Sequence, residues 1–429
     1  MTVYLDHAAT TPMLPVARDA FVAALDVVGN PTSIHSQGQN AKRMLEEARE
    51  LVAASLGCDP IEVVFTSGGT ESVNLAIKGL YWARRAQLAE ASSDPRPHPR
   101  SAPGSHRAAA DVDAETAADV DAETAGSVGA GVADSLARLP KLYRARILVP
   151  RGEHHATVDT VEWLPIDSLG RIRLDALADA LAAHDDIALL SVIWANNEVG
   201  TIQPLDEIVA LAEAHGVPVH SDAVAAYGHL PISFRDSGLA ALSISAHKIG
   251  GPLGFGALVL SRTATVVPLV HGGGQQRQVR SGTQDAPAAV AFAAAARQPF
   301  PALAGLRDRL IAGVQEAVPT AVLRGDRVDR LSNNAHFTFP GCEGDSLLFL
   351  LDAAGVSVST GSACQAGIPE ASHVLLGMGL GEAEARGALR FTLGHSSTDA
   401  DVDALLAALP AAVERARVAG YSDRTIAVS

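Results

Sequence analysis

The hydrophobic and polar positions of the chain follow two periods, one typical of amphipathic helices and one typical of short buried strands. Residues 40–56 and 71–88 carry apolar positions at helical spacing, and the apolar run 61–65 between them predicts a strand. Strands that alternate with helices favour an α/β fold with a parallel sheet. Further strands are predicted at 146–149, 188–192, 218–220, 241–243 and 256–260, with a helix at 205–215 among them.

The pattern changes after His271. A glycine-rich stretch leads into a long alanine-rich helix and then into a strand–helix region that ends with a predicted helix at 401–418. This change predicts a second, smaller α+β domain. We therefore assign residues 13–268 to a large domain, and residues 1–12 together with 269–429 to a small one.

Residues 89–141 interrupt the helical pattern with sequence rich in Ser, Pro, Ala and Gly. The heptad Asp111–Ala117 is repeated at Asp119–Ala125. A segment so poor in large apolar groups cannot offset the entropy of ordering it, so the composition predicts a disordered insertion. A docking segment for a partner protein is the alternative.

Charge and composition narrow the class of protein. The formal net charge of −15 argues against direct nucleic-acid binding, which needs a basic surface. No apolar run approaches the length of a membrane span and no signal sequence is apparent, so we expect a cytoplasmic protein that does not bind membranes. The three cysteines, Cys58, Cys342 and Cys364, are too scattered for a disulfide framework or a zinc site, and no metal site is predicted.

Candidate chemistry begins at Thr66–Ser72, which lies between a predicted strand and a predicted helix. Its glycines let the backbone approach a ligand, and the helix N-terminus and the Thr70 hydroxyl favour an anion. The motif has neither the spacing nor the lysine of a P-loop, so a nucleoside triphosphate is disfavoured. The alternative to a phosphate site is an ordinary turn with a helix cap.

Asp222 ends another predicted strand, where ligand-facing residues of open α/β sheets collect. A carboxylate in that place can keep a pyridinium nitrogen protonated, which makes a pyridoxal ring an electron sink. A helix N-cap is the structural alternative for Asp222.

Lys248 is one of only four lysines and lies between an apolar run and a Gly-Gly-Pro turn. A lysine that forms a Schiff base must spend part of its time as a neutral amine, and burial favours that form. By itself this pattern also fits a solvated loop lysine.

Together these residues resemble the cysteine desulfurases of the NifS and IscS types, which are fold-type-I pyridoxal-phosphate enzymes of the class-V aminotransferase family. The resemblance runs nearly end to end apart from residues 89–141. It implies a large domain with a mostly parallel sheet flanked by helices and a smaller α+β C-terminal domain. It rests on the motifs Tyr4–Pro12, Asn30–His35, Thr66–Ser72, Glu153–His154, Asn196–Gly200, Ser245–Lys248, Arg280–Thr283, Thr360–Cys364 and Leu389–Phe391.

The resemblance implies pyridoxal 5'-phosphate as cofactor and L-cysteine as substrate. Lys248 would bind the cofactor as a Schiff base, while His154 would stack on its ring and transfer protons. Asp222 would pair with the ring nitrogen. Arg390 would bind the substrate carboxylate, and Asn197 would contact the ring and the substrate. The phosphate would be held by Gly69, Thr70, Ser245 and His247, and by Thr283 from a second subunit, which implies a homodimer.

Cys364 distinguishes this family from other pyridoxal enzymes. It lies in the small-residue segment Ser359–Pro369, which is expected to move so that the thiolate can attack sulfur and carry it away as a persulfide. Cys58 and Cys342 lie outside this motif and are expected to be small buried hydrophobes.

Two positions depart from the family pattern. Ala225 stands where the family usually has a glutamine that hydrogen-bonds the ring hydroxyl, and we expect water or a nearby side chain to substitute. His395 stands where some members have arginine. A metal pair at His154 and His155 is disfavoured, because adjacent residues of a strand point to opposite faces.

Two alternatives to a cysteine desulfurase stay open at this level. One is another enzyme on the same scaffold, such as a selenocysteine lyase, which would tolerate loss of Cys364 when given a selenium substrate. The other is an inactive scaffold that binds sulfur-transfer partners, for which Ala225 is the only hint. The sulfur acceptor also stays open, because iron–sulfur assembly and tRNA thiolation both draw on this class through partner proteins.

Overall fold

The structure, a computed structural model, describes residues 2–93, 146–157, 162–362 and 371–422. Residues 94–141 of the predicted insertion lie outside the described residues, and so does Cys364. No helix within the described ranges is both long enough and apolar enough to cross a membrane.

Helices and strands alternate through most of the chain. The helices are α1 (Pro15–Leu25), α2 (Ser36–Ser55), α3 (Gly69–Ser93), α4 (Leu174–Ala183), α5 (Leu205–Ala214), α6 (Ala286–Ala296), α7 (Ala304–Ala317), α8 (Gly344–Ala353), α9 (His373–Gly377), α10 (Glu382–Ala385) and α11 (Asp399–Ser422). The strands are β1 (Val3–Tyr4), β2 (Val63–Thr66), β3 (Arg146–Pro150), β4 (Glu162–Leu164), β5 (Ile187–Ile193), β6 (Val219–Asp222), β7 (Ala241–Ser245), β8 (Gly256–Leu260), β9 (Val322–Arg324), β10 (Asn334–Thr338), β11 (Val356–Ser357) and β12 (Ala388–Thr392).

A seven-stranded sheet forms the centre of the larger part, with the strand order β2-β8-β7-β6-β5-β3-β4. The five strands from β7 to β4 are parallel, and β8 is antiparallel to both of its neighbours. The predicted α/β fold with a mostly parallel sheet is confirmed. The predicted strand at 61–65 begins two residues late, because Pro60–Glu62 form a 3-10 turn that Asp59 and Glu62 cap reciprocally.

Both faces of this sheet are buried, which explains why its strands are continuous apolar runs. On one face, Val63 and Phe65 of β2 belong to the core that contains the apolar residues of α2. On the other face, Val64 packs with Val73 and Ile77 of α3. Because side chains alternate along β2, α2 and α3 pack against opposite faces of the sheet.

A second core lies under the antiparallel sheet β12-β10-β9, together with α7, α8 and α11. The predicted second α+β region has this architecture. The domain boundary predicted at residue 269 stays a proposal. The packing of α6 favours a boundary later in the chain. Ala289 and Phe292 of α6 pack into the core of the larger part, although they were assigned to the small domain.

The N-terminal residues join the two parts. β1 pairs with β11 in parallel, and Asp6 forms a β-bridge with Thr392 of β12. The chain then crosses to the large sheet, where the Thr11 N–H donates to the His247 carbonyl at 3.2 Å. This crossing places β12 of the small part beside the carboxyl ends of β5, β6 and β7.

Candidate active site

A cavity of about 340 Å³ lies at the carboxyl ends of β5, β6 and β7, beside the first turn of α3. This is the edge of an open α/β sheet at which ligands bind. Nine of the residues predicted for the site line the cavity, namely Gly69, Thr70, His154, Asn197, Asp222, Ser245, His247, Lys248 and Arg390.

One end of the cavity has the properties of an anion site. Gly69 and Thr70 form the first turn of α3, where unpaired backbone N–H groups and the helix dipole favour negative charge. A Cβ at Gly69 would lie 2.7 Å from Cγ2 of Val224, so only glycine permits this packing. Burial, with a smaller contribution from the charge of Lys248, lowers the pKa of His247 to about 4. His247 is therefore neutral at pH 7 and has one ring N–H to donate.

Lys248 lies in the 3-10 turn Ala246–Ile249 that follows β7 directly. The turn ends at Gly250, whose φ of 77° places it in the left-handed region that glycine tolerates. Nζ of Lys248 donates hydrogen bonds to the carbonyl oxygens of Ala8 and Ala9, the latter at 2.9 Å. The structure has Lys248 at the end of a strand where a loop begins, as predicted.

Asp222, the last residue of β6, is buried in the wall of the cavity. Its Oδ1 accepts a hydrogen bond of 2.9 Å from the backbone N–H of Val224. Burial raises the pKa of Asp222, whereas positive charge on His154 and Lys248 acts in the opposite direction. A cationic group bound in the cavity would therefore stabilise the carboxylate.

His154 follows β3 and lines the cavity. Its Nδ1 accepts a hydrogen bond of 3.1 Å from the backbone N–H of Ala156, which leaves Nε2 to carry the proton of the neutral ring. The ring of the adjacent His155 instead packs on His373, with centroids 4.6 Å apart. The two neighbouring histidines thus make different contacts.

Arg390 of β12 reaches the cavity from the small part. Its Nη1 donates to the Asn197 carbonyl at 2.9 Å, and its Nη2 donates to Oδ1 of Asp6 at 2.8 Å. The side chain of Arg390 is nearly buried. Water would therefore weaken its interaction with a bound anion less than at the protein surface.

Comparisons with known proteins agree with this geometry. The model of the family described as "Aminotransferase class-V" matches residues 3–89 and 132–405. An "IscS-like cysteine desulfurase" of Mycobacterium tuberculosis is 47% identical over 438 residues, which cover 98% of both chains. The chain belongs to the class-V aminotransferase family.

Two solved structures are similar to this class-V chain. A NifS-like protein from Rickettsia africae has a TM-score of 0.76 and 26% identity, covering 96% of this chain and all of that one. A protein titled "SspA in complex with cysteine" has a TM-score of 0.70 and 27% identity, covering 91% of this chain and 99% of that one. The family match omits residues 90–131, which lie within the predicted insertion.

Class-V aminotransferases use pyridoxal phosphate, and this member of the family is a pyridoxal-phosphate enzyme of fold type I. The cavity fits that cofactor. The first turn of α3 offers N–H groups for a phosphate, and buried Asp222 offers a carboxylate for a ring nitrogen. Lys248 offers an amine in the same cavity. The roles of these residues stay predictions.

Of the predicted site residues that the structure describes, Thr283 alone does not line the cavity. Thr283 is exposed on the loop that follows Arg280, and Arg280 is held to α3 by an ion pair of 2.9 Å with Glu71. Cys364 lies outside the described residues.

Several cavity residues were not singled out from the sequence. Among them are Asp6, which lies in a recognised motif but had no role assigned, and His229 and Asn333. Asn333 donates through Nδ2 to Nε2 of His229 at 3.1 Å. The only signal that could have found Asp6 was its place in the motif Tyr4–Pro12.

Proposed function

We propose that the enzyme is a cysteine desulfurase that converts L-cysteine into L-alanine and transfers the sulfur to Cys364. The observation that carries the proposal is the convergence of Lys248, Asp222 and Arg390 on one cavity. The name of the Mycobacterium tuberculosis relative and the cysteine complex of the similar structure support the choice of substrate.

Each cavity residue has a distinct task in this proposal. The cofactor, when bound, supplies an electron sink for the substrate carbon. Asp222 keeps the ring nitrogen protonated, and the anion site at α3 holds the phosphate. Lys248 Nζ and His154 Nε2 hold and transfer protons. Arg390 binds the substrate carboxylate, a task for which guanidinium is suited because it can donate to both oxygens.

The sulfur transfer balances without an added oxidant. The thiolate of Cys364 attacks the substrate sulfur, and an S–S bond forms as the C–S bond breaks. The electron pair of the broken bond stays with the substrate carbon, which takes up the proton that Cys364 gave up. L-Cysteine and one thiol thus become L-alanine and one persulfide.

The proposal extends to partners. Because Thr283 is exposed and outside the cavity, we propose a homodimer in which it completes the phosphate site of the other subunit. An acceptor protein of iron–sulfur assembly or of tRNA thiolation would take the sulfur. The net charge of −15 disfavours direct contact with tRNA. We place the enzyme in the cytoplasm, where thiols stay reduced.

The test is the release of L-alanine and sulfide from L-cysteine with a reductant, for wild type and Cys364→Ala. Wild type should release both, and the variant neither, although its absorption spectrum should still change on addition of L-cysteine. Cys342→Ala serves as the control, because Cys342 is buried under the small sheet and should leave the rate unchanged. A Cys364→Ala enzyme as active as wild type would exclude Cys364 as the acceptor.

A further inference from the structure

Asp6 and Arg390 form an ion pair in the wall of the cavity. Oδ1 of Asp6 lies 2.8 Å from Nη2 of Arg390, and both residues line the cavity. The Arg390 side chain is only 5% exposed and that of Asp6 is 20% exposed. The Asp6 carboxylate therefore occupies the Arg390 guanidinium, to which the substrate carboxylate binds in the proposed function.

The main chain keeps Asp6 in this place. Asp6 forms a β-bridge with Thr392, which lies on the same strand as Arg390. The Asp6 carbonyl also accepts a hydrogen bond of 3.0 Å from the Tyr4 hydroxyl. Because the backbone is fixed, only the side-chain torsions of Asp6 can change. The carboxylate can turn away from the guanidinium but stays in the cavity wall.

Arg390 is incompletely satisfied in this arrangement. Two of its five N–H groups have hydrogen-bond partners in the described part of the chain, and its buried Nε has none there. His336 lies directly opposite Arg390 in the β10–β12 ladder and is itself buried. Both ring nitrogens of His336 also lack partners among these residues.

An unpaired buried donor beside an unpaired buried acceptor favours a second position for the guanidinium. Burial lowers the pKa of His336 to about 3, so the ring is neutral at pH 7 and can accept a hydrogen bond. Arg390 can thus release Asp6 and gain a partner for Nε.

We propose that Asp6 is a specificity-determining residue, which holds Arg390 in the ligand-free protein and yields it to the carboxylate of an α-amino acid in preference to that of a simple carboxylic acid. The inference rests on the proposed function, in which Arg390 binds the substrate carboxylate. An α-amino acid brings an ammonium group next to its carboxylate, so Asp6 exchanges one cation for another. A simple carboxylic acid brings no cation, so two carboxylates then share the single guanidinium of Arg390.

The test compares L-alanine with propionate, two ligands that differ only in the amino group. The holoenzyme is titrated with L-alanine while its absorption spectrum is followed, and propionate affinity is measured by competition. In Asp6→Asn, propionate should bind about tenfold more tightly, because a like charge has been removed at close range. L-Alanine affinity should change by less than about threefold. The Asp6 carboxylate competes with the ligand for Arg390 but also pairs with its ammonium group, so the two effects of removing it oppose each other. An unchanged selectivity, or equal weakening of both ligands, would overturn the proposal.

Two further variants make the result specific. Glu384→Gln removes the carboxylate partner of Arg324. Arg324 lies on the same small sheet as Arg390 but outside the cavity, so this variant should leave both affinities unchanged. Arg390→Gln separates the two hypotheses. If it leaves both affinities unchanged, the proposed role of Arg390 fails. If it weakens both while Asp6→Asn leaves the selectivity unchanged, only the role of Asp6 fails. Should Asp6→Asn not fold, Asp6→Ser is tested in the same way.

Discussion

Glu153 and Asp222 are two buried carboxyl groups near the ends of β3 and β6, the strands on either side of β5. Oε1 of Glu153 accepts a hydrogen bond of 2.6 Å from the N–H of Ile193, and Ile193 lies opposite Asp222 in the β5–β6 ladder. Oε2 of Glu153 is buried and has no partner in the described part of the chain. Burial, and then the charge of Asp222, raise the pKa of Glu153 well above its ordinary value. Burial therefore favours the protonated, neutral form of Glu153.

We expect Glu153→Gln to remove a pH dependence of stability. A carboxyl whose folded pKa is raised contributes stability below its unfolded pKa of about 4.3, and this contribution is lost as pH rises through the folded pKa. The amide is neutral throughout. Urea unfolding of the apoprotein between about pH 5 and about pH 9 should show the free energy of unfolding shifting in favour of the variant as pH rises. Glu47→Gln, at an exposed position, should show no such trend. A constant difference between wild type and Glu153→Gln would contradict a neutral Glu153.

His220 should make the protein sensitive to acid. It is fully buried on β6, between the hydroxyls of Ser191 at 2.9 Å and Ser243 at 2.8 Å, and burial lowers its pKa to about 3. A lowered folded pKa gives stability above the unfolded pKa of about 6.5, and this is lost as pH falls toward the folded value.

His220→Gln should therefore cost about 1–3 kcal/mol at neutral pH, because the hydrogen bonds to the two serines are altered. It should lose less stability than wild type between about pH 7 and about pH 4.5, because one buried proton acceptor is gone. Urea unfolding of the two apoproteins at both pH values measures the difference. Equal losses on acidification would count against a neutral buried His220.

Thr283 gives a direct test of the homodimer. Thr283→Ala should weaken cofactor retention by about tenfold, because a hydroxyl donor to a charged phosphate is lost. Lys248→Ala should be inactive. When the two variant chains are unfolded together and refolded, the mixed dimer should regain one complete site, with Lys248 from one chain and Thr283 from the other. Activity no higher than that of separately refolded chains would argue against a shared site.

Ala225 is expected to affect the cofactor rather than the fold. It lines the cavity with a methyl group where the family usually has a hydrogen-bonding amide. Ala225→Gln should shift the absorption band of the bound cofactor and change turnover, whereas Ala225→Leu, which adds a side chain of similar size without the amide, should not reproduce the shift. If Ala225→Gln left both the band and the turnover as in wild type, a substituting contact would have no support.

The sequence was most informative where chemistry and local pattern coincide. Lys248 follows the buried strand β7 and Asp222 ends the buried strand β6, and parallel strands bring their carboxyl ends to one edge. Each strand can be recognised from its own local sequence, so the position of both residues in one cavity could be predicted. β4 was missed because three residues are too few to show a period.

Other features depend on contacts that no local pattern encodes. α6 is apolar nearly all round, so its sequence does not indicate which core it joins. Asp6 and Arg390 are 384 residues apart, and neither segment contains a sign of the other. His336 alternates correctly for a strand, yet its unpaired ring nitrogens emerge only when β10 and β12 are brought together.

The position of β1 has a consequence for how the molecule is made. Val3 and Tyr4 pair with β11, and Asp6 bridges to β12, so these residues stay without their strand partners until β11 and β12 have been synthesised. Contacts of such high sequence separation close slowly, because the entropy of a long loop is lost before they form. The large sheet can assemble on the ribosome, but the wall of the cavity that contains Arg390 closes only after β12 has emerged. A nascent chain should therefore acquire recognition of amino acids only after β12 has been synthesised.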